Sequence, residues 1–210
     1  MNIPADAPFP ERMCKEVLRN LPMIGFKGKI ELIQDDAQMD SALEELRHET
    51  LLGFDTESKP TFRRQDEVRP PALLQLSNGA TAWLFQLRQI SRHEELFAIL
   101  ADPAVEKVGV APHDDIKGLN RISPFQAAGF TDLGTIASAR GIITTGLRNL
   151  AGMFLNGRIS KAAQVSNWEQ NPLTKKQINY AATDAWVSLR IYEELNRRTG
   201  QAVPGEQLAQ

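Results

Sequence analysis

Leu51-Leu52-Gly53-Phe54-Asp55-Thr56-Glu57-Ser58 is a short apolar run that ends in two acids. Read as a strand, its period of two sends Asp55 and Glu57 to one face and Thr56 to the other. Two carboxylates side by side at a strand end repel, so the fold must offset that repulsion, and divalent cations are the usual agents. A surface strand end that merely happens to carry two acids is the competing reading. The rest of the chain decides between them.

Lys29–Ile33 also alternates and reads as a strand, after which Asp35 or Asp36 can cap a helix running through Leu43 and Leu46. Ala72–Ser77 and Ala82–Leu87 read as two more strands, and Asn78-Gly79 between them predicts an antiparallel hairpin. An amphipathic helix is expected over Ser91–Leu100, then a buried strand over Val105–Ala111. Pro112 ends that strand, and Asp115, Ile116, Leu119 and Ile122 follow at helical spacing. Beyond Phe130 the pattern is helical: Asp132–Arg140, Leu147–Leu155, and Leu173 to about Arg197, the last capped by Thr174. Strands first, then β-α units, then helices predict an α/β fold, one mixed sheet flanked by helices in a single domain. Residues 1–28 read as an arm with a short helix over Glu11–Leu21, residues 29–197 as the domain, and 198–210 as a flexible tail.

With 42% hydrophobic and 24% charged residues the chain can bury one sizeable core. A net charge of -2 excludes a strongly basic coat protein but not a nuclease, whose acidic site cancels local basic patches. Cys14 is the lone cysteine, which excludes an internal disulfide and a cysteine-rich zinc site. His48, His93 and His113 are scattered, so any metal is expected on oxygen ligands, which favours Mg or Mn over Zn. Residues 1–10 lack a signal-peptide pattern, and no apolar run approaches the ~18 residues of a membrane helix. A reducing, cytoplasmic setting without a membrane partner is the expectation.

Three further places bear on the acidic pair. In Ala111-Pro112-His113-Asp114-Asp115-Ile116 a strand hands over to a helix, where open α/β sheets place ligand-binding acids. In Tyr180-Ala181-Ala182-Thr183-Asp184 the tyrosine and aspartate lie one helical turn apart, and the alanines permit close approach to the sheet. Just before that helix comes Val165-Ser166-Asn167-Trp168.

Gly53 to Glu57, Val108 to Leu119 and Tyr180 to Asp184 together resemble the three motifs of the DEDD 3'-5' exonuclease superfamily. Tyr180 marks the tyrosine (DEDDy) branch, because Asn179 stands where the other branch carries histidine. Ser166-Asn167-Trp168, then Pro172-Leu173-Thr174, look most like the exonuclease domain of the Werner syndrome protein and its bacterial relatives. The resemblance covers roughly residues 29 to 196. It implies a ribonuclease H-like fold and a nucleic-acid partner with an accessible 3' end, DNA favoured. It also implies two Mg2+ or Mn2+ ions held by Asp55, Glu57, Asp115 and Asp184, with Tyr180 aiming the attacking water. Asp114 competes with Asp115; Asp115 shares a helical face with Leu119 and Ile122 and is preferred, leaving Asp114 a first-turn acid.

Pro112 and His113 depart from the family pattern without removing a required acid, and His113 reads as exposed. Trp168 reads as a buried anchor for the last helix or, alternatively, as part of a loop shaping the mouth of the site. Arg63, Arg64, Arg69, Arg158 and Lys161 meet phosphates or simply face water. An RNase D-like exoribonuclease and a non-catalytic nucleic-acid binding domain are the rival functions.

Overall fold

A computed structural model describes residues 10–61 and 69–199. The expected strands form as Lys29–Ile33 (β1), Leu51–Glu57 (β2), Leu73–Ser77 (β3), Thr81–Gln86 (β4) and Glu106–Gly109 (β5). A sixth, Phe130–Asp132 (β6), was not expected, and it takes in Asp132, read as the start of a helix. Three half-buried residues carry too little alternation to announce a strand, and pairing with β5 creates it. The helices are Lys15–Asn20 (α1), Asp36–Leu46 (α2), His93–Ala101 (α3), Pro112–Asn120 (α4), Leu133–Ala139 (α5), Leu147–Leu155 (α6) and Lys175–Thr199 (α7). Of the helix expected over Glu11–Leu21, only α1 forms.

The sheet order is β1-β4-β3-β2-β5-β6. β3 runs antiparallel to both neighbours, whereas β1 and β4, β2 and β5, and β5 and β6 pair in parallel. The β3–β4 hairpin turns at Asn78-Gly79: the Asn78 side chain accepts from the backbone of Ala80 and Thr81 at 3.0 and 2.8 Å, and Gly79 takes φ +93°. Because β2 and β5 are parallel neighbours, their carboxyl ends open on one side of the sheet.

Leu52 and Phe54 of β2 face a core built with α2, α3 and Leu119 of α4. The other face is covered by α5, α6 and α7. There Gly53 lets α7 lie directly on β2, since a Cβ at that position would sit 1.9 Å from the Ala185 carbonyl oxygen. Ala181, Ala182 and Ala185 are fully buried at this contact. Thr174 starts α7 with reciprocal bonds: its Oγ1 accepts from Gln177 N at 3.3 Å, and Gln177 Oε1 accepts from Thr174 N at 3.0 Å.

The segment before β1 packs on this helical face. Phe26 N donates to Thr183 Oγ1 at 3.1 Å, and Leu18 fits over Gly152 of α6. Glu169 gathers Arg69, Arg88 and Lys59 at 3.0, 3.2 and 3.5 Å. Arg69, read as a phosphate contact or a solvated charge, is therefore an ion-pair partner. Arg63, Arg64 and the tail from residue 200 lie outside the described residues.

Candidate active site

Asp55 and Glu57 end β2 on the side covered by α7, and Asp184 comes down from that helix to meet them. One carboxylate oxygen from each of the three lies within 4.8 Å of the others. Asp115 approaches from α4 across the other face of β2: Thr56 Oγ1 donates to its Oδ1 at 2.5 Å. Asp114, by contrast, is exposed and pairs with Lys117 at 3.1 Å. Ala111 makes the turn into α4 in the left-handed region, φ 53°, and its N–H donates to Asp132 Oδ1 at 2.9 Å. Thus Asp132, at the end of the strand that the sequence concealed, supports the turn that delivers Asp115.

Burial and mutual repulsion make these acids hold protons strongly. Burial, then Asp184 and Asp115, raise Asp55 well above the usual carboxylate range. Burial, then Asp55, push Glu57 up to about 10. Burial raises Asp184 to about 7 against the opposing pull of the Tyr180 hydroxyl and the Arg148 charge. Burial likewise takes Asp115 to about 6, opposed by the Thr56 hydrogen bond. Tyr180, raised by burial and by the Asp184 charge, keeps its proton beside these acids.

Trp168 is buried, with its ring centroid 6.0 Å from that of Tyr180. Two hollows meet at Tyr180 and Asp184: one of about 450 Å³ reaching Arg148, Lys161 and Gln164, the other of about 330 Å³ bounded by Gly25, Lys176 and Asn179. Lys161 thus borders the acids, while Arg158 is exposed and donates to the Leu21 carbonyl at 2.9 Å. His113 is exposed. Arg148 was not singled out in the sequence, because nothing in Leu147-Arg148-Asn149 distinguishes it from a helix-surface residue.

Clustered carboxylate oxygens with neither imidazole nor thiolate among them suit a hard divalent cation. Fold and site together define an α/β protein with an acid cluster at the carboxyl ends of adjacent parallel strands. Residues 30–199 match the family model of 3'-5' exonucleases, and the chain belongs to that family.

The chain is 37% identical over 152 residues to Exonuclease 3'-5' domain-containing protein 2 of Drosophila melanogaster, covering 70% of this chain and 25% of that protein. It is 29% identical to Ribonuclease D of Pseudomonas paraeruginosa, covering 82% and 46%. It is 28% identical to the Bifunctional 3'-5' exonuclease/ATP-dependent helicase WRN of Mus musculus, covering 88% and 14%. The chain therefore spans less than half the length of each of these relatives. Among solved structures, the Aedes aegypti Nibbler EXO domain superposes with a TM-score of 0.76 at 21% identity, covering 84% of this chain and 93% of that one, a likeness of fold.

Proposed function

We propose that this chain is a divalent-metal-dependent 3'-5' exonuclease of the tyrosine branch, releasing nucleoside 5'-monophosphates. The observation that carries the reading is the convergence of Asp55, Glu57 and Asp184 to within 4.8 Å, with Tyr180 lining the same hollow. Asp55, Glu57 and Asp184 would hold Mg2+ or Mn2+, and Asp115, fastened by Thr56, would complete a second position. Bound there, two such ions supply Lewis-acid stabilisation of the phosphate and an activated water.

The protein's own groups do the rest. Tyr180 aims the water at phosphorus through its hydroxyl, and the buried Trp168 ring fixes the tyrosine's tilt. The new bond is water oxygen to phosphorus; the bond broken joins phosphorus to O3' of the penultimate nucleotide, which leaves as a hydroxyl after taking a proton. The terminal nucleotide departs as its 5'-monophosphate. The two hollows flanking Tyr180 and Asp184 give that nucleotide and the strand behind it separate places, and Lys161 borders the first.

An RNase D-like preference for RNA is the second reading, favoured by the similarity to Ribonuclease D. The sugar is discriminated by contacts to its 2'-hydroxyl. Matched DNA and RNA oligonucleotides, digested side by side with Mg2+ and with Mn2+, test the function and separate the two substrates. DNA is the expected preference; shortening of neither with either metal would defeat the reading.

A further inference from the structure

Asp55, Glu57, Asp115 and Asp184 gather carboxyl oxygens at the head of a cleft that must also admit a phosphodiester, an anion that each of them repels when ionised. Among the described residues, Arg148 and Lys161 are the cations that line the hollow with Asp55, Glu57 and Asp184. Arg148 is the second residue of α6 and lines the same 450 Å³ hollow as the acids. Its Nε–H is fully buried and has no hydrogen-bond partner among the described residues.

That arrangement is unusual for a counter-ion. A guanidinium serving only to neutralise Asp184 would close a hydrogen bond on its carboxylate, yet the Arg148 Nε–H has no partner among the described residues, Asp184 included. An unpaired buried N–H carries a desolvation cost, and Arg148 as a whole is only partly buried, which leaves its side chain free to turn toward an acceptor in the hollow. The planar fork of arginine matches the spacing of two phosphate oxygens, which a lysine cannot reproduce. The surroundings agree with an anionic ligand. Gly146 opens α6 without a side-chain cap, and Gly146 and Leu147 border the hollow, so the positive end of this helix faces the same space. Lys161 borders the same hollow.

We propose that Arg148 is a phosphate-binding residue, its guanidinium holding non-bridging oxygens of the phosphodiester at the acid cluster and then of the 5'-monophosphate released from it. This rests on the exonuclease reading above and divides the site's labour: the carboxylates hold cations, and Arg148 holds the anion those cations act on.

The test is equilibrium binding, which needs no turnover. Calorimetry in Mn2+ compares thymidine and adenosine 5'-monophosphates with their unphosphorylated nucleosides, for wild type, R148A and R148K. Wild type should prefer each monophosphate by about tenfold or more. R148A should lose most of that preference, and R148K, keeping charge without the fork, should fall between. Mn2+ affinity should stay the same in R148A or tighten, since a cation beside Asp184 has been removed.

A wild type without phosphate preference, or an R148A that keeps it, overturns the proposal. Unchanged monophosphate binding with tighter Mn2+ would show Arg148 to be a counter-ion only and overturns it equally. If R148A fails to unfold cooperatively, R148K decides alone: a preference equal to wild type overturns the proposal, and a loss of about threefold or more supports it. The parent reading is checked separately on an oligonucleotide. Wild type that leaves it intact in Mn2+ but keeps an Arg148-dependent phosphate preference would defeat the exonuclease reading and support the phosphate site.

Discussion

The Thr56 hydroxyl donates to the Asp115 carboxylate across 2.5 Å, tying the first turn of α4 to the strand that carries Asp55 and Glu57. Thr56 faces away from its two acidic neighbours, so Asp115 reaches the cluster from one side of the sheet and Asp184 from the other. The bond also opposes the burial that raises Asp115 to about 6. Thr56→Val keeps the shape and deletes the donor. Asp115 should then hold its proton to higher pH, and Mn2+ affinity by calorimetry should fall by about tenfold at pH 6. The loss should be smaller at pH 8, where the acid is ionised in both proteins. Equal loss at both values would show that the bond only orients Asp115.

Gly53 sets the distance between β2 and α7. Gly53→Ala would place a Cβ 1.9 Å from the Ala185 carbonyl oxygen and 3.1 Å from the Leu189 Cβ. Backbone must move, at a cost of about 1–3 kcal/mol or more in unfolding free energy by denaturant titration. Asp184 moves with it, so metal affinity should fall as well. An unfolding midpoint equal to wild type would contradict the close packing.

Tyr180→Phe should lower kcat by about 10²-fold while leaving Mn2+ affinity near wild type, as expected for a group that aims water rather than holds metal. The lost hydroxyl had been lowering Asp184 from a value raised by burial to about 7. The acidic limb of the pH–rate profile should therefore move to higher pH, and an unmoved limb would show that Asp184 does not govern it.

Metal-free stability should run opposite to ordinary acid denaturation over part of the range. Asp184 holds its proton more tightly folded than unfolded, its pKa being raised to about 7 in the presence of Asp55, Glu57, Tyr180 and Arg148. Its contribution therefore declines as pH climbs from about 4 to about 7. In chelator, Asp184→Asn should match wild type near pH 4 and exceed it at pH 8 by roughly 2–4 kcal/mol. Added Mn2+ should favour wild type more than the variant. A wild type at least as stable as the variant at pH 8 in chelator would refute the burial penalty on the Asp184 charge.

The sequence carried the site unevenly, for physical reasons. Asp55 and Glu57 were legible because period-two alternation assigns faces locally, and Asn78-Gly79 and the Thr174 cap were legible because turns and caps are short-range chemistry. The alanines beside Tyr180 announced the close helix, while the position of its contact, Gly53 on Ala185, needs the three-dimensional register. β6 was not legible, since its pairing with β5 is what makes three residues a strand. Nor was the partnership of Arg69 and Glu169, which are 100 residues apart in the chain. Arg148 escaped notice because its meaning lies in an unpartnered buried nitrogen beside Asp184, which no spacing rule reveals.

The most direct test of the central claim is the fate of a 5'-labelled oligonucleotide. With Mg2+ or Mn2+, wild type should produce a ladder shortened one nucleotide at a time from the 3' end, with 5'-monophosphates as the small product. Excess chelator or Asp55→Ala should leave the oligonucleotide at full length. Shortening that persists in chelator, or that Asp55→Ala performs as well as wild type, would contradict the account.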